Sequence, residues 1–305
     1  MRRNLLSAAI ALTFAGVIAL PAAAARGQPQ TATLATTQLP RGVQPLHYDI
    51  AMTPDAKSAS FSAQVAIDID VTAPTSSITL HAADLKFARA TLTGKSGGPQ
   101  DAQIALDDAA QTATFRFARP LARGRYKLAL DYTGSIGSQA VGLFSLDYDT
   151  ADGKRRALFT QFENSDARRM IPSWDEPAFK ASFALRVTVP SGEMAVSNMP
   201  IQSSTPQPDG RVTVRFATTP KMSTYLLFFA LGDFERATAN VDGTELGVVT
   251  RRGSLPQAAF ALASSQAVLR EYNDYFGVRY PLPKLDNIAG PGRSQFFGAM
   301  ENWGA

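Results

Sequence analysis

The side chains of this 305-residue sequence that could do chemistry are carboxylates rather than nucleophiles or metal ligands. Glu301 sits in the run Gly298-Ala299-Met300-Glu301-Asn302-Trp303-Gly304-Ala305. Glu163 sits in Thr160-Gln161-Phe162-Glu163, which leads into Asp166-Ala167-Arg168-Arg169-Met170 and then Trp174-Asp175-Glu176-Pro177-Ala178-Phe179-Lys180. As bare residues, Glu301 reads as a surface carboxylate, and Met300 reads equally as core packing or as a substrate contact. The charge-dense stretch from Asp166 reads as a solvated loop stitched by local salt bridges. Other chemistries are excluded. The sequence has no cysteine nucleophile, no G-x-S-x-G elbow and no phosphate-binding loop. Its two histidines, His47 and His81, are not spaced at i, i+4 and neither stands in H-E-x-x-H, so they do not supply that metal site. Lys154-Arg155-Arg156 and Arg251-Arg252 read as solvated turns.

The terminal run resembles the Gly-Ala-Met-Glu-Asn signature of the zinc-dependent aminopeptidases of the aminopeptidase N family. The block from Thr160 to Lys180 is similar to a second signature of the same family, in the right order. The resemblance covers the chain from about Arg41 onward and is densest over residues 158–189 and 272–305. It implies substrate-binding roles residue by residue. Glu163 matches the glutamate that reaches from the N-terminal domain to the substrate's free α-amine, and Glu301 matches the signature glutamate that binds the same amine. Gln161 matches a glutamine lining the first substrate pocket, and Gly298 and Ala299 match backbone beside the substrate, next to Met300. Asp166, Arg168, Arg169, Asp175 and Glu176 fall to a structural ion-pair network. These types suit an exopeptidase: carboxylates hold an ammonium through charge-assisted hydrogen bonds of about 1.5–3 kcal/mol each. Fixing the amine also fixes the scissile carbonyl. A glycine at 298 lets an extended peptide approach closely.

In that family the zinc-binding H-E-x-x-H helix follows the signature, so the expectation is zinc in the complete enzyme and none bound by this chain, which carries no catalytic residue and no metal ligand. The expected partners are peptide substrates with a free N-terminus. The sequence therefore reads as the N-terminal part of a zinc metallo-aminopeptidase, cut short and inactive alone. The other reading is a naturally truncated, non-catalytic β module that binds peptides or another protein.

The elements that must position these residues follow from composition and periodicity. Hydrophobic residues at 45% and charged residues at 18% describe a globular protein. The net charge of +4 falls by two without Arg2 and Arg3, which gives no reason to expect nucleic acid. Residues 1–25 read as a signal peptide: Arg2-Arg3, an apolar run from Leu5 to Leu20, Pro21, and a cleavage site at Ala23-Ala24-Ala25. The mature protein is thus expected in the periplasm or secreted, with no membrane span left. Residues 26–40 read as a linker. Residues 41–253 read as an N-terminal all-β domain, a sandwich or saddle of antiparallel sheets. Phe61, Ala63, Val65, Ile67, Ile69 and Val71 alternate with polar neighbours, and so do the segments around Ala113–Phe117, Tyr126–Tyr132, Phe183–Val189 and Val212–Phe216. The unbroken apolar run Tyr225–Leu231 predicts a strand covered on both faces. Residues 254–305 read as the truncated start of a catalytic domain, α+β and thermolysin-like by the resemblance. There Pro256 opens a helix with Leu255, Ala259, Leu262, Leu269, Tyr272 and Phe276 on one face, and Gly277 stops it. The chain as a whole is therefore expected to be mainly β.

Overall fold

The computed structural model describes residues 38–95, 98–291, 300 and 302–305. The expected signal peptide (1–25) and most of the expected linker (26–40) lie outside the described residues. The first strands are β1 Val43–Asp55, β2 Ser60–Val71, β3 Thr75–His81, β4 Lys86–Gly94, β5 Gln100–Asp101, β6 Gln103–Asp107, β7 Thr112–Leu121 and β8 Gly124–Ser135. There follow β9 Gly142–Thr150, β10 Gly153–Gln161, β11 Ser182–Pro190, β12 Met194–Ser197, β13 Ile201–Pro206 and β14 Arg211–Phe216. The last are β15 Phe229–Gly232, β16 Phe234–Val241, β17 Thr244–Arg251, helix α1 Ala259–Phe276, and β18 Lys284–Ile288.

The chain is mainly β, as expected, because most of its apolar residues alternate. In β2, Phe61, Ala63, Val65, Ile67, Ile69 and Val71 are all buried while Ser62 and Gln64 are exposed. An eight-stranded sheet runs β13-β14-β11-β1-β2-β8-β4-β5, and a three-stranded sheet runs β3-β7-β6. Both contribute to one core that includes Ile67, Ile78, Phe115, Leu128, Phe183 and Trp174. Burying each aliphatic side chain of this kind contributes about 1.5–3 kcal/mol. With no disulfide in the chain, these cores hold the fold.

A four-stranded sheet, β12-β15-β10-β9, lies between two cores. Leu158, Phe229 and Leu231 belong to the first, while Phe159, Phe228 and Ala230 join Phe234 and Val249 in the second. The sheet β16-β17-β18 carries α1 through Val241, Leu246 and Leu269. Most pairings are antiparallel, but β1 pairs with β11 in parallel, as does β17 with β18.

Two expectations need correction. Tyr225–Leu231 is not one strand: Thr224–Leu226 is a 3-10 turn, and β15 begins only at Phe229. Asn198 fixes that break, since its amide donates to the Leu226 carbonyl and its Oδ1 accepts from the Phe228 N–H. Helix α1 ends as expected, with Gly277 in the left-handed region at φ 66°. Its buried face differs, however. Leu269 and Asn273 are buried and Leu262 partly so, while Tyr272 and Phe276 are 57% and 65% exposed. Asn273 takes the inner position because its amide donates to Asp242 and its Oδ1 accepts from the Tyr280 N–H. No helix among the described residues is long and apolar enough to cross a membrane.

Candidate functional site

Gln161 is the last residue of β10, paired with Gly142 of β9. Gly142 has φ +68°, and a Cβ there would stand 2.9 Å from the Arg169 Cβ, so glycine lets the Arg169 side chain pack across the strand end. Phe162 is buried, and the Asp166 N–H closes a turn back to its carbonyl at 2.9 Å. That turn leaves Glu163 and Asn164 exposed, joined by a cis peptide bond. The loop thus has an anchored base and an open carboxylate at its tip.

The anchoring comes from the charged block that follows. Asp175 is buried with a fully inaccessible side chain, and its Oδ2 accepts from the Arg168 Nε at 3.0 Å and from the Arg168 N–H at 3.2 Å. Its Oδ1 accepts from the Thr224 hydroxyl at 2.6 Å. The Asp175 N–H donates to His81 Nδ1, which sets that ring nitrogen as an acceptor. Arg169 pairs with Asp166 and Asp84, and Glu176 pairs with Arg41, whose guanidinium lies 4.5 Å from the centre of the Phe179 ring. All five charged residues expected to be structural are therefore paired. Tyr48 supports the same block: its hydroxyl accepts from the Trp174 N–H, and burial pushes its pKa far up.

The terminal signature is described only at Met300 and at Asn302–Ala305; Gly298, Ala299 and Glu301 lie outside the described residues. Met300 is half-buried. Asn302–Ala305 forms a turn in which the Asn302 N–H donates to the Ala305 carbonyl at 3.1 Å. Trp303 packs on the first core and Ala305 on the second. The Trp303 carbonyl accepts from the Asn198 amide at 2.8 Å. The Gly304 carbonyl accepts from the Asp286 N–H at 3.2 Å and from the Lys284 ammonium at 2.7 Å.

Lys284 and Asp286 are buried and paired at 2.8 Å, and Arg236 meets Asp286 at 2.7 Å and Glu245 at 2.6 Å. Arg236 Nε is the nitrogen aligned to hydrogen-bond Asp286, at 2.9 Å, while Nη2 touches the same oxygen off-axis. Two cations thus meet two carboxylates. Desolvation pulls the Lys284 pKa down, and Asp286 opposes it.

Strand register brings the two signatures toward one place. Phe159 of β10 and Val196 of β12 both face Ala230 of β15, and Ser197 faces Phe229, to which the Thr160 hydroxyl is bonded. Gln161 and Asn198 are the next residues out, at the same end of the sheet and two strands apart, or about 10 Å. The end of β10 therefore carries Gln161 and leads to Glu163, and the end of β12, on the far side of β15, holds the Asn302–Ala305 turn through the Trp303 carbonyl.

Asn198, Lys284, Asp286 and Gly304 carry this arrangement, and none of them has a role legible in the sequence. The available signal was local: Ser197-Asn198-Met199-Pro200 leaving a strand, and a charged pair at i, i+2 in a short strand. The histidines stand apart. His47 Nδ1 meets the Ser182 hydroxyl at 2.8 Å in β1, and His81 closes β3 against Ser173. Among the described residues no three metal-ligating side chains converge. These residues do not fit a zinc ion.

The Peptidase M1 N-terminal domain matches residues 44–226, and the Peptidase family M1 domain matches residues 260–305. The chain is 45% identical over 271 residues to aminopeptidase N of Acetobacter pasteurianus, a match covering 88% of this chain and 75% of that protein. It is 37% identical to aminopeptidase M1-C of Oryza sativa subsp. japonica and 35% identical to endoplasmic reticulum aminopeptidase 1 of Homo sapiens. These two matches also cover 88% of this chain, but only 30% and 29% of the rice and human proteins.

Proposed function

This chain belongs to peptidase family M1, and from that membership we propose that it is the N-terminal part of a zinc metallo-aminopeptidase, an enzyme that removes N-terminal residues from peptides. Glu163 and Glu301 together bind the substrate's protonated α-amine. Gln161 lines the first pocket, Met300 contacts the substrate, and the backbone of Gly298 and Ala299 runs beside it. The observation that carries this reading is the common sheet end: Gln161 and Asn198 are level, although the residues they serve are far apart in sequence. Two carboxylates near one point repel until a cation arrives, so such a site favours a substrate bearing a positive charge. The amine, once held, orients the peptide's first carbonyl. Zinc belongs to the complete enzyme, held outside the residues described above.

The reading is tested in the complete enzyme with Glu301→Gln and Glu163→Gln, which keep size and remove charge. Loss of one charge-assisted bond of about 1.5–3 kcal/mol lowers kcat/KM roughly ten- to over a hundredfold for a free-amine substrate. The N-acetylated analogue, a poor substrate throughout, should be much less affected. A variant that keeps full activity and full rejection of the blocked substrate removes that glutamate from the site.

We also propose export, with cleavage after Ala25, on the strength of Arg2-Arg3, the apolar run and the alanine-rich site. N-terminal sequencing of protein from its native host should begin within two residues of Arg26. An intact Met1 on cytosolic protein would refute it.

A further inference from the structure

We propose that Asn198 and Lys284 are positioning residues: they pin the Asn302–Ala305 turn, and the amine-binding role of the signature depends on that turn being held. This inference rests on the amine-binding role given to Glu301 above. The turn is held from two different sheets. Asn198, at the end of β12, has three committed bonds: its amide donates to the Leu226 carbonyl at 2.7 Å and to the Trp303 carbonyl at 2.8 Å, and its Oδ1 accepts from the Phe228 N–H at 2.8 Å. It therefore has no freedom to follow a moving turn. Lys284, at the start of β18, holds the next carbonyl, that of Gly304.

Between these two grips Gly304 adopts φ +87°, and a Cβ on it would overlap the Asn198 carbonyl oxygen. Only glycine fits there. At Gly247 a Cβ would overlap the side chains of Asp286 and Arg236. The ion cluster thus has backbone cleared around it.

A buried ion cluster is a poor means of gaining stability, since well-packed apolar residues of the same volume often do better. What this cluster does provide is a fixed donor aimed at one carbonyl. A misplacement of about 1 Å can cost a hundredfold in catalysis.

The test uses two near-isosteric variants, Lys284→Met and Asn198→Asp; the second keeps the acceptor for Phe228 and serves alone should the first not fold. The chain has two tryptophans, and Trp174 is 1% exposed, so acrylamide quenching of fluorescence reports Trp303. In the 305-residue chain the Stern–Volmer constant should rise at least twofold in each variant with native near-UV dichroism retained. In the complete enzyme, discrimination between a free-amine substrate and its N-acetylated analogue should fall at least tenfold, mainly through KM for the free amine. Unchanged quenching overturns the inference, and so does increased quenching with discrimination intact. If Glu301→Gln destroys discrimination while both pin variants keep it, the proposed function stands and this inference alone falls. If all three keep it, both fall.

Discussion

Replacing Asp175 by asparagine should unsettle the loop that carries Glu163 without touching it. The carboxylate is fully inaccessible and receives three donors, two from Arg168 and one from Thr224. An amide of the same shape has only one acceptor atom. With its oxygen toward Thr224, its NH2 group faces the Arg168 Nε–H and N–H, two donors with nothing to receive them. Turned over, it presents NH2 to Thr224, and Arg168 still loses its counter-charge. Removing one partner of a buried pair costs about 3–5 kcal/mol. At roughly 2–4 °C per kcal/mol for a chain of this size, Tm should fall by about 6–20 °C. Thr224→Val removes a single bond to the same carboxylate, about 1.5–3 kcal/mol, and should cost roughly half as much. Differential scanning calorimetry on purified protein with urea titrations reads both. A shift below about 2 °C for Asp175→Asn, or a larger loss for Thr224→Val, would show that this network does not hold the loop.

Gly142→Ala should cost about 1–2 kcal/mol from its left-handed backbone alone, and more if the Arg169 Cβ at 2.9 Å cannot yield; thermal melting should show the drop, and an unchanged Tm would contradict the packing of Arg169. Glu193 titrates above its ordinary value of 4.5 because burial and Asp233 raise it, against a lesser lowering by Arg155. The native state therefore binds that proton more tightly than the unfolded chain, and the associated stability, full below about pH 4.5, is lost as pH rises through the raised value. Glu193→Gln should remove this loss, so urea midpoints of variant and parent should diverge in the variant's favour from pH 4.5 toward 7; parallel curves would refute it.

Much of the β architecture was legible because burial follows a two-residue period. β2, β8 and β11 are examples, each with one face in the first core. Tyr225–Leu231 misled because hydropathy sees only local side chains, whereas the break before β15 is imposed by Asn198 from 28 positions away and by Thr224 reaching Asp175. In α1 the aromatic rings outweighed Asn273 in apolar character, yet Asn273 is buried and bonded to Asp242 and Tyr280, while the exposed rings of Tyr272, Tyr275 and Phe276 pack on one another. The parallel pairing of β1 with β11 has no sequence signature at all. At the site, the two motifs could be recognised as family signatures. The pinning of the turn could not, because Asn198 and Trp303 are 105 positions apart and neither is unusual where it stands.

The parallel partner of β1 also has a consequence in time. β2 follows β1 after a short turn and can pair with it at once, but the other edge must wait for β11, 135 residues later at His47 and Ser182. At about 5–20 residues per second, a ribosome needs roughly 7–27 s to supply it. During that interval the strand destined for the middle of the largest sheet is an open edge.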